Sequence, residues 1–342
     1  MSKRFLVVRL GSLGDLLHTL PAVAALRRMY PDARIDWLVE APHRDLLDLV
    51  PILSSVIVMK GRSLGGWLQT SRELKARGYD VALDFQGLIK SAALARLSGA
   101  KSVVGFDRRA LREPLARLFY TNSPMVGEGC HVIDKNLALV SALLGTREEL
   151  QTSPAERAAI DFPLREIDSA VLEHVRHQGV GTFALVNPGA AWPNKRWPAD
   201  RFGAIAKTLR DDHGLTPLVL WGPGERALAE SVVAASGGAA VIAPETQLPD
   251  LVALSRAASF MISGDTGPLH IACATGVPTV SLFGPTDVKR NGPWDPHDVV
   301  LTRYDRCVCH YKRHCQQPGD WCLADISVDE VREAVRARLA AS

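Results

Sequence analysis

Short β-branched runs alternate with longer amphipathic segments along this chain, and the series occurs twice. In the first half, the runs Phe5–Leu10, Arg34–Glu40, Ser55–Lys60, Asp80–Phe85 and Lys101–Phe106 predict strands. Helical periodicity fills the intervals. Leu16–Met29 places Leu17, Leu20 and Ala24 on one face, with Arg27 and Arg28 in its last turn and Pro21 expected to bend it. In the second half, strands are predicted at Thr182–Pro188, Pro217–Trp221, Ala240–Ala243, Phe260–Ser263 and Thr279–Phe283. Helical patterns at Ala199–Asp212, Glu225–Ala235, Leu248–Ala258 and Pro268–Thr275 join them. Strand, crossover helix, strand is the pattern of a parallel sheet, so two doubly wound α/β domains are expected. Binding loops then belong at the carboxyl ends of the strands.

A chain of 342 residues exceeds what one core usually serves. Residues 1–155 read as an N-terminal domain and 156–180 as a linker region that becomes helical around Ile167–His177. Residues 181–325 read as a second domain and 326–342 as a closing helix expected to pack back across the domains. With 47% hydrophobic and 23% charged residues, disorder is excluded. No stretch approaches the roughly 20 apolar residues of a membrane-spanning helix. The N-terminal run breaks at Arg9 and is expected to be a strand rather than a leader. Residues 1–150 hold 21 Lys/Arg against 15 Asp/Glu, leaving 19 and 22 of the chain totals of 40 and 37 for the rest. A balance of +6 in the first half and −3 in the second favours an anionic partner or membrane surface for the first.

Four strand-to-helix loops carry candidate chemistry. Gly11-Ser12-Leu13-Gly14-Asp15 follows the first strand, and its glycines allow close backbone approach to a ligand. It lacks both the G-x-G-x-x-G spacing of a dinucleotide site and the Lys-Ser/Thr ending of a P-loop. Asp15 reads either as a helix N-cap or as a general base. In Asn187–Pro198, Lys195 and Arg196 either neutralise a diphosphate or form a solvated basic loop around a tucked Trp197. In Ser263–His270, the N–H groups of Thr266 and Gly267 at a helix start suit phosphate oxygens. There Asp265 reads as a cap or an acceptor from sugar hydroxyls, and His270 as a packing residue or a ligand contact. In Trp221–Arg226, Glu225 suits a ribose diol or an ordinary first helical turn.

Taken together, R-L-G-S-L-G-D-L-L-H-T-L-P at 9–21, N-P-G-A-A-W-P-N-K-R-W-P at 187–198, W-G-P-G-E-R at 221–226, S-G-D-T-G-P-L-H-I-A at 263–272 and F-G-P-T-D at 283–287 resemble the motifs of glycosyltransferase family 9, the ADP-heptose:lipopolysaccharide heptosyltransferases. The resemblance implies a GT-B fold, two Rossmann-like domains facing a central cleft, the N-terminal one for acceptor and the C-terminal one for donor. It implies inverting, metal-independent transfer of L-glycero-D-manno-heptose from ADP-heptose to the inner core of lipopolysaccharide, with no cofactor. Carried onto this chain, it makes Asp15 the base and Lys195 the stabiliser of departing ADP. It places Ala191, Asp265, Thr266, Gly267 and His270 about the donor sugar and phosphate, Glu225 on the ribose and Thr246 beside adenine. Where first-heptose enzymes carry a Thr pair, this chain has Ala190 and Ala191, so any phosphate contact there comes from backbone.

Ser12, Gly14, Arg108, Arg109 and Arg112 are expected on the acceptor side. The stretch from Arg108 to Tyr120 mixes basic and apolar residues, which reads as an amphipathic core-facing helix, a peripheral membrane contact or a grip on acceptor phosphates. The acceptor is expected to be a lipopolysaccharide precursor glycolipid and no nucleic acid is expected. The location implied is cytoplasmic, peripheral at the inner face of the inner membrane. Rival readings are a family 9 enzyme using another nucleotide sugar or surface glycan, and a non-catalytic nucleotide-sugar binder. Cys307, Cys309, Cys315 and Cys322 lack the C-x-x-C spacing of zinc knuckles, so a reduced or redox-labile cluster is favoured over zinc.

Overall fold

The computed structural model describes residues 2–127, 129–145, 157, 160–315 and 322–341. The chain divides into two units, Met1–Arg165 and Glu166–Ser342. Of the expected linker, residues 156, 158 and 159 lie outside the described residues, as do 146–155 before it.

In the first unit, β1 (Arg4–Val8), β2 (Arg34–Val39), β3 (Ser55–Val58), β4 (Val81–Asp84) and β5 (Ser102–Gly105) form a parallel sheet in the order β3-β2-β1-β4-β5. Helices on both faces explain why β1 reads as an unbroken apolar run, with Phe5, Leu6, Val7 and Val8 fully buried. The strand order reverses at β1, which puts the loop after Val8 at the switch point where ligands enter such sheets. The helix expected over Leu16–Met29 is two helices, Leu13–Leu17 and Leu20–Met29. Pro21 lies in the first turn of the second, where its missing N–H costs no helical hydrogen bond, so the chain restarts rather than bends. The stretch from Arg108 to Tyr120 forms a turn and then a short 3-10 helix, Pro114–Phe119, not an amphipathic α-helix.

The second unit carries β6 (Phe183–Asn187), β7 (Thr216–Val219), β8 (Val241–Ile242), β9 (Phe260–Gly264), β10 (Thr279–Phe283) and β11 (Val299–Thr302) in the parallel order β11-β10-β9-β6-β7-β8. Here the switch point lies between β6 and β9. β11 was not expected: its four residues pair only with β10 and stay partly exposed, too short and too lightly buried to leave a pattern. Within the expected linker, Ala170–His177 is a helix capped by Ser169, and its Val175 is buried in the core of this second unit. The C-terminal helix Val328–Ala340 begins at a Ser327–Glu330 capping box and buries Val331 and Val335 against Ala199–His213, β10 and β11.

Candidate active site

The second unit's site grows from adjacent strands. Asn187, the last residue of β6, stands opposite Ser263 of β9. Its amide donates to Ser263 Oγ at 2.9 Å and to Thr266 Oγ1 at 2.9 Å, tying the loops after the two strands together. The β6 loop then folds over β9 so closely that a Cβ on Gly264 would fall 2.7 Å from the Lys195 carbonyl oxygen. Trp197 is buried: its indole N–H donates to the Ile326 carbonyl at 3.0 Å and its ring meets Phe202 edge-on.

This packing brings Lys195 to Asp265. Lys195 Nζ lies 2.5 Å from Asp265 Oδ2 and 4.7 Å from the centre of the Trp192 ring. The lysine side chain is only 15% exposed, so it is not the solvated loop residue that composition allowed. Thr286 Oγ1 donates to the same Asp265 oxygen at 2.6 Å, while Asn291 Nδ2 and His270 Nε2 stand 3.2 and 3.3 Å from the other. A carboxylate offers about four acceptor sites. Those of Asp265 are filled from within the protein, which replaces the expectation that it accepts from sugar hydroxyls. The cap reading also gives way, because Thr266 is the N-cap of Gly267–Thr275. Burial pushes the Asp265 carboxyl upward, but hydrogen bonding from His270 and the charge of Lys195 outweigh it and hold the group well below the usual carboxylate range. The result is a fixed ammonium beside a helix N-terminus that carries Thr266 and Gly267, an arrangement that attracts phosphate oxygens.

Glu225 sits beyond this cluster. A Cβ on Gly189 would fall 2.1 Å from its Oε2, so the glycine makes room for the carboxylate. Arg196 Nη2 donates to Glu225 Oε1 at 3.3 Å and the Gly222 N–H to Oε2 at 3.2 Å. Ala190 is buried, and its carbonyl accepts from Arg196 Nε at 2.8 Å; Ala191 is exposed, and its carbonyl accepts from Arg313 at 3.1 Å. Thr246 is half-buried between β8 and the helix Leu248–Ala257. Thr286, Asn291 and Trp192 are site residues that the sequence does not single out, whereas Arg196, a candidate for the diphosphate, is paired with Glu225. F-G-P-T-D at 283–287 was the available signal for Thr286.

In the first unit, Ser12 is the N-cap of Leu13–Leu17 and Asp15 lies at the third helical position, so Asp15 is not the N-cap. Its Oδ2 accepts from Ser12 Oγ at 3.0 Å and lies 2.6 Å from Arg9 Nη2. Arg9 is buried and also donates to the Phe85 carbonyl at 2.5 Å, which fixes it to the end of β4. In the sequence Arg9 breaks the first apolar run and opens the R-L-G-S-L-G-D motif, with no role of its own. Gly14 is buried, and its carbonyl accepts from the His18 N–H. A Cβ on Gly11 would lie 2.9 Å from His43 Nε2. Burial depresses the His43 pKa against the opposing charge of Glu40, itself paired with Arg62 and Lys90. Arg108, Arg109 and Arg112 are exposed.

Cys307 Sγ and Cys309 Sγ stand 3.6 Å apart, Asn194 Nδ2 points at Cys309, and burial raises the thiols of Cys307 and Cys322. The described residues contain no group of three or more His, Cys, Asp or Glu placed to hold a metal ion. No helix among them is long and apolar enough to cross a membrane.

The family model for glycosyltransferase family 9 (heptosyltransferase) matches residues 67–319. Lipopolysaccharide heptosyltransferase 1 of Pseudomonas aeruginosa is 30% identical over 339 residues, covering 91% of this chain and 87% of its own. The crystal structure of the glycosyl transferase family 9 from Veillonella parvula has a TM-score of 0.82 at 25% identity, covering 99% of this chain and 98% of that one. The structure of E. coli heptosyltransferase WaaC with ADP-2-deoxy-2-fluoro heptose has a TM-score of 0.73 at 25% identity, covering 97% and 99%. On these matches, with two parallel α/β units, the chain belongs to glycosyltransferase family 9 and is a glycosyltransferase of the GT-B fold.

Proposed function

We propose that this enzyme transfers L-glycero-D-manno-heptose from ADP-heptose to the inner core of lipopolysaccharide, with inversion and without a metal ion. The observation that carries the donor half is the Lys195 ammonium fixed 2.5 Å from Asp265 beside the start of helix Gly267–Thr275. The heptosyl donor and lipopolysaccharide acceptor follow from the names of the relatives.

In the proposed step, Asp15 takes the proton of an acceptor hydroxyl as its oxygen attacks the anomeric carbon from the face opposite ADP. The bond to the β-phosphate oxygen breaks, and the anomeric configuration inverts. Negative charge develops on the departing diphosphate, where Lys195 and the N–H groups at Thr266 and Gly267 stabilise it. Ala191 and His270 border the donor, Glu225 takes the ribose and Thr246 lies beside adenine. Asp265 serves the donor through Lys195. Ser12, Gly14, Arg108, Arg109 and Arg112 form the acceptor side in residues 1–155, and 181–325 the donor side. The acceptor is a membrane-held anionic glycolipid, so the enzyme works peripherally at the cytoplasmic face of the inner membrane.

Incubation with a panel of nucleotide sugars and delipidated core acceptors, read by mass spectrometry, tests this. Addition of one heptosyl unit from ADP-heptose is expected. Transfer of a different sugar, or of none, would reject the reading.

A further inference from the structure

The 3-10 helix Pro114–Phe119 turns outward two residues that ordinarily avoid water. Three residues per turn align positions i and i+3, so Leu115 and Leu118 share one edge, 61% and 80% exposed. Ala116, on the neighbouring edge, is fully buried. The leucines therefore form a ridge on a fixed base.

That base is tied to the sheet. Tyr120 OH donates to the buried Asp84 Oδ2 at 2.7 Å, and its ring lies so close over Gly105 that a Cβ there would be 2.3 Å from it. Asp84 ends β4 opposite Val8 of β1, from which the Asp15 loop departs. Ridge and Asp15 loop thus share the carboxyl end of one sheet.

The flanks are cationic. Arg108–Leu118 contains four arginines and one acid, Glu113. Glu113 accepts from the Ile89 N–H at 2.7 Å, and Arg117 donates to the Tyr120 carbonyl; Arg108, Arg109 and Arg112, just before the leucines in the chain, are exposed. Ile89, 39% exposed, adds apolar surface at the foot of the ridge.

We propose that this ridge seats the first unit on an anionic lipid bilayer, Leu115 and Leu118 entering below the headgroups while Arg108, Arg109 and Arg112 meet their phosphates. Exposed leucines preceded in the chain by exposed arginines, with the intervening Glu113 engaged by the Ile89 N–H, match what an anionic interface attracts. A second protein would need about 1,000 Å² of complementary surface, far more than two leucines provide. The proposal rests on the preceding reading of a membrane-held acceptor, and it identifies the surface that brings the Asp15 loop to that membrane.

The test uses the full chain and sedimented vesicles free of acceptor glycolipid, made of phosphatidylcholine alone or mixed with phosphatidylglycerol. Binding to the mixed vesicles, weakened by salt, is expected. The Leu115→Ser/Leu118→Ser variant should bind them at least about tenfold more weakly, yet transfer sugar to soluble delipidated acceptor as the parent does. Absence of parent binding, equal binding to both vesicle types, or an unaffected double variant would overturn the proposal. So would a parent dimer in solution that the double variant abolishes, because the ridge would then be a protein interface. Absence of transfer to soluble acceptor by the parent would reject the preceding reading instead, since the vesicle result is independent of catalysis.

Discussion

Lys195 and Asp265, 70 residues apart in sequence, meet at 2.5 Å with the lysine side chain 15% and the aspartate side chain 4% exposed. A pair so little hydrated is held by its surroundings. Thr286, Asn291 and His270 fill the remaining acceptor positions of the carboxylate, and Trp192 covers the ammonium.

Replacing Lys195 therefore has two effects. Lys195→Ala is expected to lower turnover with ADP-heptose by removing the charge proposed to meet the diphosphate. It also strands a buried carboxylate, a change that typically costs roughly 3–5 kcal/mol of stability. Asp265→Asn in the same chain should recover part of that stability and none of the turnover. Urea unfolding of both single variants and the double variant, beside their steady-state kinetics, separates the effects. Strictly additive stability losses would show that the two side chains do not interact.

The acid limb of stability should report Asp265. Its folded pKa lies below its unfolded value, so its contribution is fully present above about pH 4 and is lost as pH falls through the folded value. Between about pH 5 and pH 2 the unfolding free energy of the parent should thus drop more steeply than that of Asp265→Asn. Parallel slopes from urea melts across this range would contradict the assignment.

Tyr120 is expected to matter for stability rather than chemistry. Tyr120→Phe keeps the ring over Gly105 but removes one of the donors to buried Asp84, whose carboxyl burial already pushes upward against those hydrogen bonds. A loss of about 1–3 kcal/mol is expected, with donor affinity unchanged by calorimetry. An unshifted melting temperature would mean that water or another group replaces the phenol.

Chelators should leave transfer intact, because in the proposed mechanism Lys195 and the helix start at Thr266 supply the positive charge that a divalent ion would otherwise bring to the diphosphate. Loss of transfer in EDTA, restored by magnesium or manganese, would remove the metal-free mechanism.

Much of this was legible locally. The parallel strands announced themselves as apolar runs, and the site loops as glycine and proline clusters after them. Pairings set by strand order were not legible. Nothing near Lys195 names Asp265 as its partner, because the adjacency of β6 and β9 is a property of the sheet. Arg9 likewise looked like the end of a strand, and only the neighbouring β4 supplies the Phe85 carbonyl that aims it at Asp15. Pro21 suggests a bend because the short turn before it, with helical residues on both sides, keeps the same apolar spacing as one continuous helix.

Asp15 decides whether the first unit does chemistry. It lies at the sheet's switch point, one quarter exposed, with Arg9 and Ser12 holding one carboxylate oxygen. A general base contributes roughly a hundred- to ten-thousand-fold to rate and little to donor affinity. Asp15→Asn keeps an oxygen for Arg9 and Ser12 but cannot take up a proton at neutral pH. It should leave ADP affinity near that of the parent, lower stability by about 1–3 kcal/mol because Arg9 loses a charged partner, and slow heptosyl transfer at least about a hundredfold. His43, beside Gly11 and with its pKa depressed by burial, is a neighbouring group able to accept a proton, so His43→Gln is the control and should retain most turnover. Calorimetry with ADP, thermal melts and ADP release with acceptor present make the comparison. Parent-like turnover in Asp15→Asn would leave Asp15 a helix-capping residue, and a large loss confined to His43→Gln would move the base to the imidazole.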